Sequence, residues 1–238
     1  MEKIALITGG TRGIGRATAI ELIKRGYITA ISYSKSEEEA KYLSEEYNII
    51  PFQADFREKD APYKLIEEVT KKLGQIDLLV NNAGISIINI FQCLTDEEIR
   101  DIYNVNLFGT IEATRAVISQ MISRHSGCIV NVSSIWGEVG ASCEVDYSVT
   151  KGAVIAFTKA LAKEVGPSGI RVNCVSPGVI DTAMNSHLSE EDMKELSEET
   201  PLCRIGRAEE VAKTICYLAS DDASFITGQV ISVNGGTS

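Results

Sequence analysis

Tyr147 and Lys151 stand four residues apart in the stretch DYSVTK, with only small or β-branched residues between them. On a helix that spacing is one face, so a phenol and an ammonium become neighbours. A free tyrosine has a pKa of about 10, too high for efficient acid–base work at neutral pH. An adjacent ammonium stabilises the phenolate and lowers that value. The pair reads as a proton donor and its electrostatic partner, suited to protonating a carbonyl oxygen. The same spacing also occurs on ordinary helix surfaces, so the reading depends on what the rest of the chain supplies.

A second candidate is TGGTRGIG, residues 8–15, where Gly9, Gly13 and Gly15 follow a GxxxGxG spacing. Glycines there permit a tight turn and let a phosphate approach the backbone, and the N-terminus of a following helix stabilises its charge. Glycine turns also join strands to helices for structural reasons alone, so position in the fold decides. Sites for NAD carry an acidic residue near the end of the second strand, on the ribose hydroxyls. In this chain that end reads SYSKS, with Tyr33 where the acid should be, Ser34 and Lys35 after it, and Arg12 inside the glycine loop. A serine and two cations suit a 2′-phosphate that an aspartate would repel. NADPH is therefore expected over NADH, against the competing reading that Lys35 and Arg12 are ordinary surface cations.

The elements that must position these residues alternate along the chain. KIALIT, YITAISYS, IIPFQAD, IDLLVNNAG, GCIVNVSS, IRVNCVSPG and QVISVNGG read as strands, about seven in all. Between them lie helical stretches at 16–27, 36–47, 57–74, 95–124, 145–166, 189–199 and 208–220. Apolar strands alternating with helices indicate an α/β fold, a doubly wound, Rossmann-type parallel sheet with helices on both faces. No composition shift marks a linker, so residues 1–238 are expected to form one domain. Such a fold binds ligands outside the carboxyl ends of its strands. Here those ends are TGG, SYS, AD, NNAG, VSS and SPG.

Taken in order, TGGTRGIG, Asp55, NNAG (81–84), Asn106, Ser134, YSVTK (147–151) and SPGVIDT (176–182) resemble the classical short-chain dehydrogenases/reductases over essentially the whole chain. The glycine loop, NNAG and the ending ITGQVISVNGG are most similar to the 3-oxoacyl-carrier-protein reductase branch. The resemblance implies that Gly9, Thr11, Arg12, Gly13, Ile14 and Gly15 wrap the cofactor phosphates. Asp55 and Phe56 flank the adenine, and Asn82, Ala83 and Gly84 pass beneath the ribose. Pro177, Gly178, Ile180 and Thr182 lie at the nicotinamide end. Tyr147 donates a proton as hydride arrives, Lys151 also holds the ribose, and Asn106 anchors a water behind Lys151. Ser134 orients the substrate oxygen, with Ser133 its rival. Residues 183–203 would form a lid, with Met184, Leu188, Met193 and Leu196 on its apolar side. The family is mostly tetrameric, which implies a homotetramer packed through the helices at 95–123 and 147–165, with Ala113, Ala116, Ala153, Ala156 and Ala160 allowing close approach.

Composition narrows the partners. The net charge of −10 argues against nucleic acid. No run of eighteen apolar residues suggests a membrane span. The start MEKIALITGG lacks a secretory pattern, so a cytoplasmic protein is expected. Six cysteines, without a CxxC, and the separated His125 and His187 do not form a metal cluster. Cys143, four residues before Tyr147, is a candidate accessible thiol.

The branch implies a 3-oxoacyl thioester as the ketone reduced, bound to a carrier or to coenzyme A. The positions where such reductases place arginines beside the mouth are taken by His125 and Ser168, which argues against a carrier-protein substrate and leaves Arg124 and Arg171 as possible substitutes. The loop WGEVGASCEVD carries Glu138, Glu144 and Asp146, which would favour a cationic ketone. SSIWGEVGASCEVDYS is also similar to reductases of the 5-aminopentanone group on elongation factor P. The competing reading leaves these acids facing solvent, or makes Asp146 a helix cap. A non-catalytic NADP-binding sensor is a further alternative, though such proteins usually lose the tyrosine or lysine.

Overall fold

Strands that are apolar on both sides must be covered on both faces, and short connections through helices make them parallel. The computed structural model, which describes residues 2–185 and 188–237, has this arrangement. The strands β1 (Ile4–Ile7), β2 (Ile28–Tyr33), β3 (Ile50–Gln53), β4 (Leu78–Asn81), β5 (Gly127–Val132) and β6 (Ile170–Pro177) lie in one sheet. Two short strands, β7 (Ile180–Asp181) and β8 (Gly206–Arg207), pair with each other outside it, and β9 (Val230–Val233) completes the sheet. The order is β3-β2-β1-β4-β5-β6-β9, all parallel. Winding reverses between β1 and β4, which opens a crevice at their carboxyl ends.

The helices are α1 (Gly13–Lys24), α2 (Glu37–Tyr47), α3 (Ala61–Leu73), α4 (Asp96–Tyr103), α5 (Gly109–Ser123), a single turn α6 (Trp136–Val139), α7 (Val145–Val165), α8 (Glu190–Glu199) and α9 (Ala208–Ala219). Side chains alternate along each strand. Ile4 and Leu6 of β1 face Leu65, Val69, Val117 and Met121 of α3 and α5. Ala5 and Ile7 face Leu22, Leu43, Val211 and Ile215 of α1, α2 and α9. Glu37, Glu38 and Glu39 are exposed on the first turn of α2, as a solvated face requires.

The structure departs from the sequence reading in three places. The stretch 95–124 is not one helix: α4 and α5 are separated by a π-helical turn, Asn104–Phe108, in which Asn106 is buried. Gly109 follows this turn because Phe56 packs there; a Cβ would lie 2.4 Å from the Phe56 Cδ2 atom. The loop before α7 contains α6. The strands also carry a buried polar row. Asn81 Nδ2 donates to Thr114 Oγ1 (3.0 Å) and Asn131 Oδ1 (2.8 Å), and Asn131 Nδ2 donates to Thr158 Oγ1 (2.9 Å). This row ties α5 and α7 to β4 and β5 by geometry rather than by apolar contact alone.

The lid reading at 183–203 includes Ser186 and His187, which lie outside the described residues. Within the rest, α8 is closed by a capping box in which Ser189 and Asp192 bond each other's backbone amides.

Candidate active site

The loops that follow β1 and β4 are joined. The Thr8 hydroxyl accepts the amides of Asn82 and Ala83, each at 3.0 Å, while Asn82 Nδ2 donates to the carbonyls of Thr8 and Gly9, each at 3.0 Å. Ser32 adds a third strand end, its Oγ accepting the Gly9 amide at 3.2 Å. α1 starts with no side-chain cap and no acidic residue in its first turn. Its first amides are free to bind an anion. A Cβ at Gly15 would sit 2.3 Å from the Gly9 carbonyl oxygen, so only glycine lets loop and helix approach this closely. Gly15 thus lies beneath the loop, while Gly9, Thr11, Arg12, Gly13 and Ile14 line a cleft of about 370 Å³.

That cleft crosses the ends of β2 and β3 and passes Asn82, Ala83 and Gly84. Ser34, Lys35, Asp55 and Phe56 line it, and no carboxylate stands at the end of β2. Arg57, not singled out from sequence, also lines it. Its guanidinium forks onto Asp55, with Nε 2.9 Å from Oδ1 and Nη2 on Oδ2, and its amide reaches Oδ1 at 3.1 Å. These hydrogen bonds hold the Asp55 carboxyl below the usual carboxylate range against a smaller opposing effect of burial. Bare helix amides, a cationic end and a crevice at the winding reversal fit a phosphorylated dinucleotide.

Tyr147 and Lys151 lie in the first two turns of α7, and both are buried. The Lys151 Nζ stands 5.6 Å from the centre of the Tyr147 ring and donates to the Val132 carbonyl at 2.9 Å. The expected lowering of the phenol pKa by the ammonium does not dominate. Burial pushes Tyr147 up to about 12, with the hydrogen-bonded Ser134 hydroxyl opposing it. Burial likewise pushes Lys151 down to about 8. The two serines separate: Ser133 Oγ donates to the Lys151 carbonyl at 2.8 Å, whereas Ser134 meets the phenol. Asn106 is behind both cavities; its side chain clasps the backbone of Ile85, accepting from its N–H and donating to its C=O, both at 2.8 Å. Its Oδ1 and the Lys151 Nζ flank Gly84, 3.5 and 3.3 Å from where a Cβ would stand.

Above this group lies a second cavity, also about 370 Å³, which shares Ile14, Asn82, Gly84, Thr182 and Met184 with the first. Pro177, Gly178 and Ile180 line it, with Ile88, Trp136, Leu188 and Leu196 as apolar walls. Of the four lid residues expected to face inward, Met184, Leu188 and Leu196 do so, and Met193 does not line either cavity. Of the three loop acids, only Glu144 lines the cavity, where it accepts a hydrogen bond from Ser86 Oγ. Glu138 is exposed and accepts from Ser232 Oγ at 3.2 Å. Asp146 is buried in the first turn of α7.

Arg124 and Arg171 do not reach the mouth. They sit at the amino-terminal ends of β5 and β6, opposite Ser134. Arg124 Nε donates to the Ser126 carbonyl at 2.8 Å, and Arg171 Nη1 to the Leu218 carbonyl at 2.6 Å. Sequence reasoning passed over Thr8, Ser32, Arg57 and Ser86. For Thr8 and Arg57 a signal existed, a hydroxyl at a strand end and a cation two residues past Asp55.

Among the described residues no group of histidine, cysteine and carboxylate side chains could hold a metal ion, and no helix is long and apolar enough to cross a membrane. Residues 9–238 match the family model described as enoyl-(acyl carrier protein) reductase. A 3-oxoacyl-[acyl-carrier-protein] reductase FabG of Staphylococcus aureus is 39% identical over 241 residues, covering 99% of this chain and 98% of that protein. Acetoacetyl-CoA reductase of Shinella zoogloeoides is 41% identical over 99% of this chain and 98% of its own length. An uncharacterized oxidoreductase, YmfI, of Bacillus subtilis is 40% identical over 99% of both chains.

Proposed function

The chain belongs to the classical short-chain dehydrogenase/reductase family, oxidoreductases of the CH–OH group, and from that premise we propose that it reduces a 3-oxoacyl thioester to the 3-hydroxyacyl form with NADPH. The observation that carries this reading is the convergence of Ser134, Tyr147 and Lys151 at a mostly apolar cavity continuous with the dinucleotide cleft. The names of the reductases from Staphylococcus and Shinella support a thioester. Arg12, Ser34 and Lys35, with no acid at the end of β2, support NADPH.

When bound, the nicotinamide supplies the hydride. The chain's own residues manage the proton. Ser134 orients the ketone oxygen, and Tyr147 gives its proton to that oxygen as negative charge develops there. A phenol pKa raised by burial keeps the proton in place at neutral pH. Lys151 stabilises the phenolate left behind, and its ammonium would also hold the cofactor's ribose. Asn106 fixes Ile85, and with it the Gly84 backbone beside Lys151; a water held there would return the proton. Met184, Leu188 and Leu196 wall the cavity and would limit the access of water to it.

A second reading is favoured by Glu144. A carboxylate in the substrate cavity suits a ketone bearing an amine, such as the 5-aminopentanone group on elongation factor P. NADPH oxidation with acetoacetyl-coenzyme A decides between them. Turnover that disappears in Tyr147→Phe, while NADPH binding persists, supports the thioester. A wild-type protein that binds NADPH and leaves the thioester unreduced sinks it. Glu144→Gln then lowers kcat/KM for an amino ketone by about tenfold if that reading holds, and leaves it unchanged if it does not.

A further inference from the structure

The proposed preference for NADPH meets an obstacle on its own wall. Asp55 lines the same cleft as Arg12, Ser34 and Lys35 and is close enough to Lys35 to feel its charge, so a carboxylate stands in the cleft that must accept a 2′-phosphate. At the end of β2 such a charge would exclude the phosphate. Here Arg57 meets it. The guanidinium takes both carboxylate oxygens, and the Arg57 amide adds a third hydrogen bond. A bidentate fork of this kind is rigid and specific in geometry, beyond what a lysine could supply. Arg57 Nη1 also lies 3.8 Å from Asp101 Oδ2 on α4, which holds the fork from behind. Both partners are partly buried, with side chains 33% and 22% exposed, so the pair is only partly screened.

Resting on the NADPH reading, we infer that Arg57 is a positioning residue for cofactor choice. By clamping Asp55 it cancels the one carboxylate charge that lines this cleft among the described residues and leaves Lys35 and Arg12 in control of the phosphate end. Asp55 remains in place to face the adenine. Arg57 acts through Asp55 and needs no contact with the phosphate itself.

Dissociation constants for NADPH and for NADH, read from cofactor fluorescence without any ketone present, test this. Arg57→Met lowers the NADPH-to-NADH preference roughly fivefold at low salt, less at high salt, because a partly exposed charge is screened. Asp55→Asn alone keeps or raises the preference. The double variant Asp55→Asn/Arg57→Met restores it, because the charge that needed cancelling has gone. If the double variant stays as impaired as Arg57→Met, Arg57 touches the phosphate directly and the inference is wrong. Equal weakening of both cofactors by Arg57→Met also overturns it, showing a role in loop structure alone. Should Arg57→Met fail to fold, Asp55→Asn carries the test: a kept or raised preference supports the inference, and a drop in preference refutes it. A wild-type protein that prefers NADH defeats the NADPH reading instead, and the shift between wild type and Arg57→Met still judges Arg57.

Discussion

Lys151 shows at the residue scale how function sets a cost in stability. Lys151 is 3% exposed, and its ammonium donates to the Val132 carbonyl. Its pKa falls to about 8 in the fold from 10.5 in the free chain. A depressed folded pKa means that the favourable contribution exists above the free-chain value and is lost as pH falls towards 8. Between pH 10 and pH 7, wild type should therefore lose roughly 3 kcal/mol relative to Lys151→Met, at about 1.4 kcal/mol per pKa unit. Tyr147 is present in both proteins and drops out of the difference. Urea unfolding at four pH values measures it, and parallel stability curves would show that Lys151 is not desolvated in solution.

The arrangement of the elements around this lysine is unusually tight. α6 packs on α7 so closely that a Cβ at Gly137 would lie 2.7 Å from the Lys151 carbonyl carbon and 2.9 Å from the Gly152 nitrogen. Backbone cannot yield as a side-chain tip can, so Gly137→Ala is expected to destabilise the protein by about 2 kcal/mol. It should also lower kcat more than it weakens NADPH binding, because α6 is one turn past Ser134. A variant with normal stability and normal kcat would show that α6 can shift freely. Such contacts explain what was legible in the sequence. Period and apolar content identified the seven strands of the sheet, and glycine and asparagine punctuation located their carboxyl ends. The π turn at Asn104–Phe108 was hidden, because it answers to Phe56 and Ile85, which are distant in sequence. The loop 136–146 has no period, so nothing in its sequence told which of its acids turns inward. Glu144 does, and Glu138 does not.

The whole molecule separates its two ends by chemistry. The carboxyl ends of the strands gather glycine, hydroxyl and amide groups, while Arg124 and Arg171 close the amino ends on backbone carbonyls. Assembly belongs to this scale. Ala113 packs in the core, but Ala156 and Ala160 are exposed on α7, where Val149 is about half exposed, and Phe108 is about half exposed at the end of the π turn that packs on α7. We propose that this surface joins copies into a tetramer. Light scattering should give four times 25.8 kDa, falling in Val149→Glu. A wild-type monomer would end that reading.

The shared hydrogen bonds of Thr8 and Asn82 have a thermodynamic consequence. They lock two loops together within the chain itself, so the receiving surface stands ready before any visitor arrives. Docking there forfeits little backbone freedom. Calorimetry would then find a heat-capacity change no larger than the covered surface demands, with no added signature of folding.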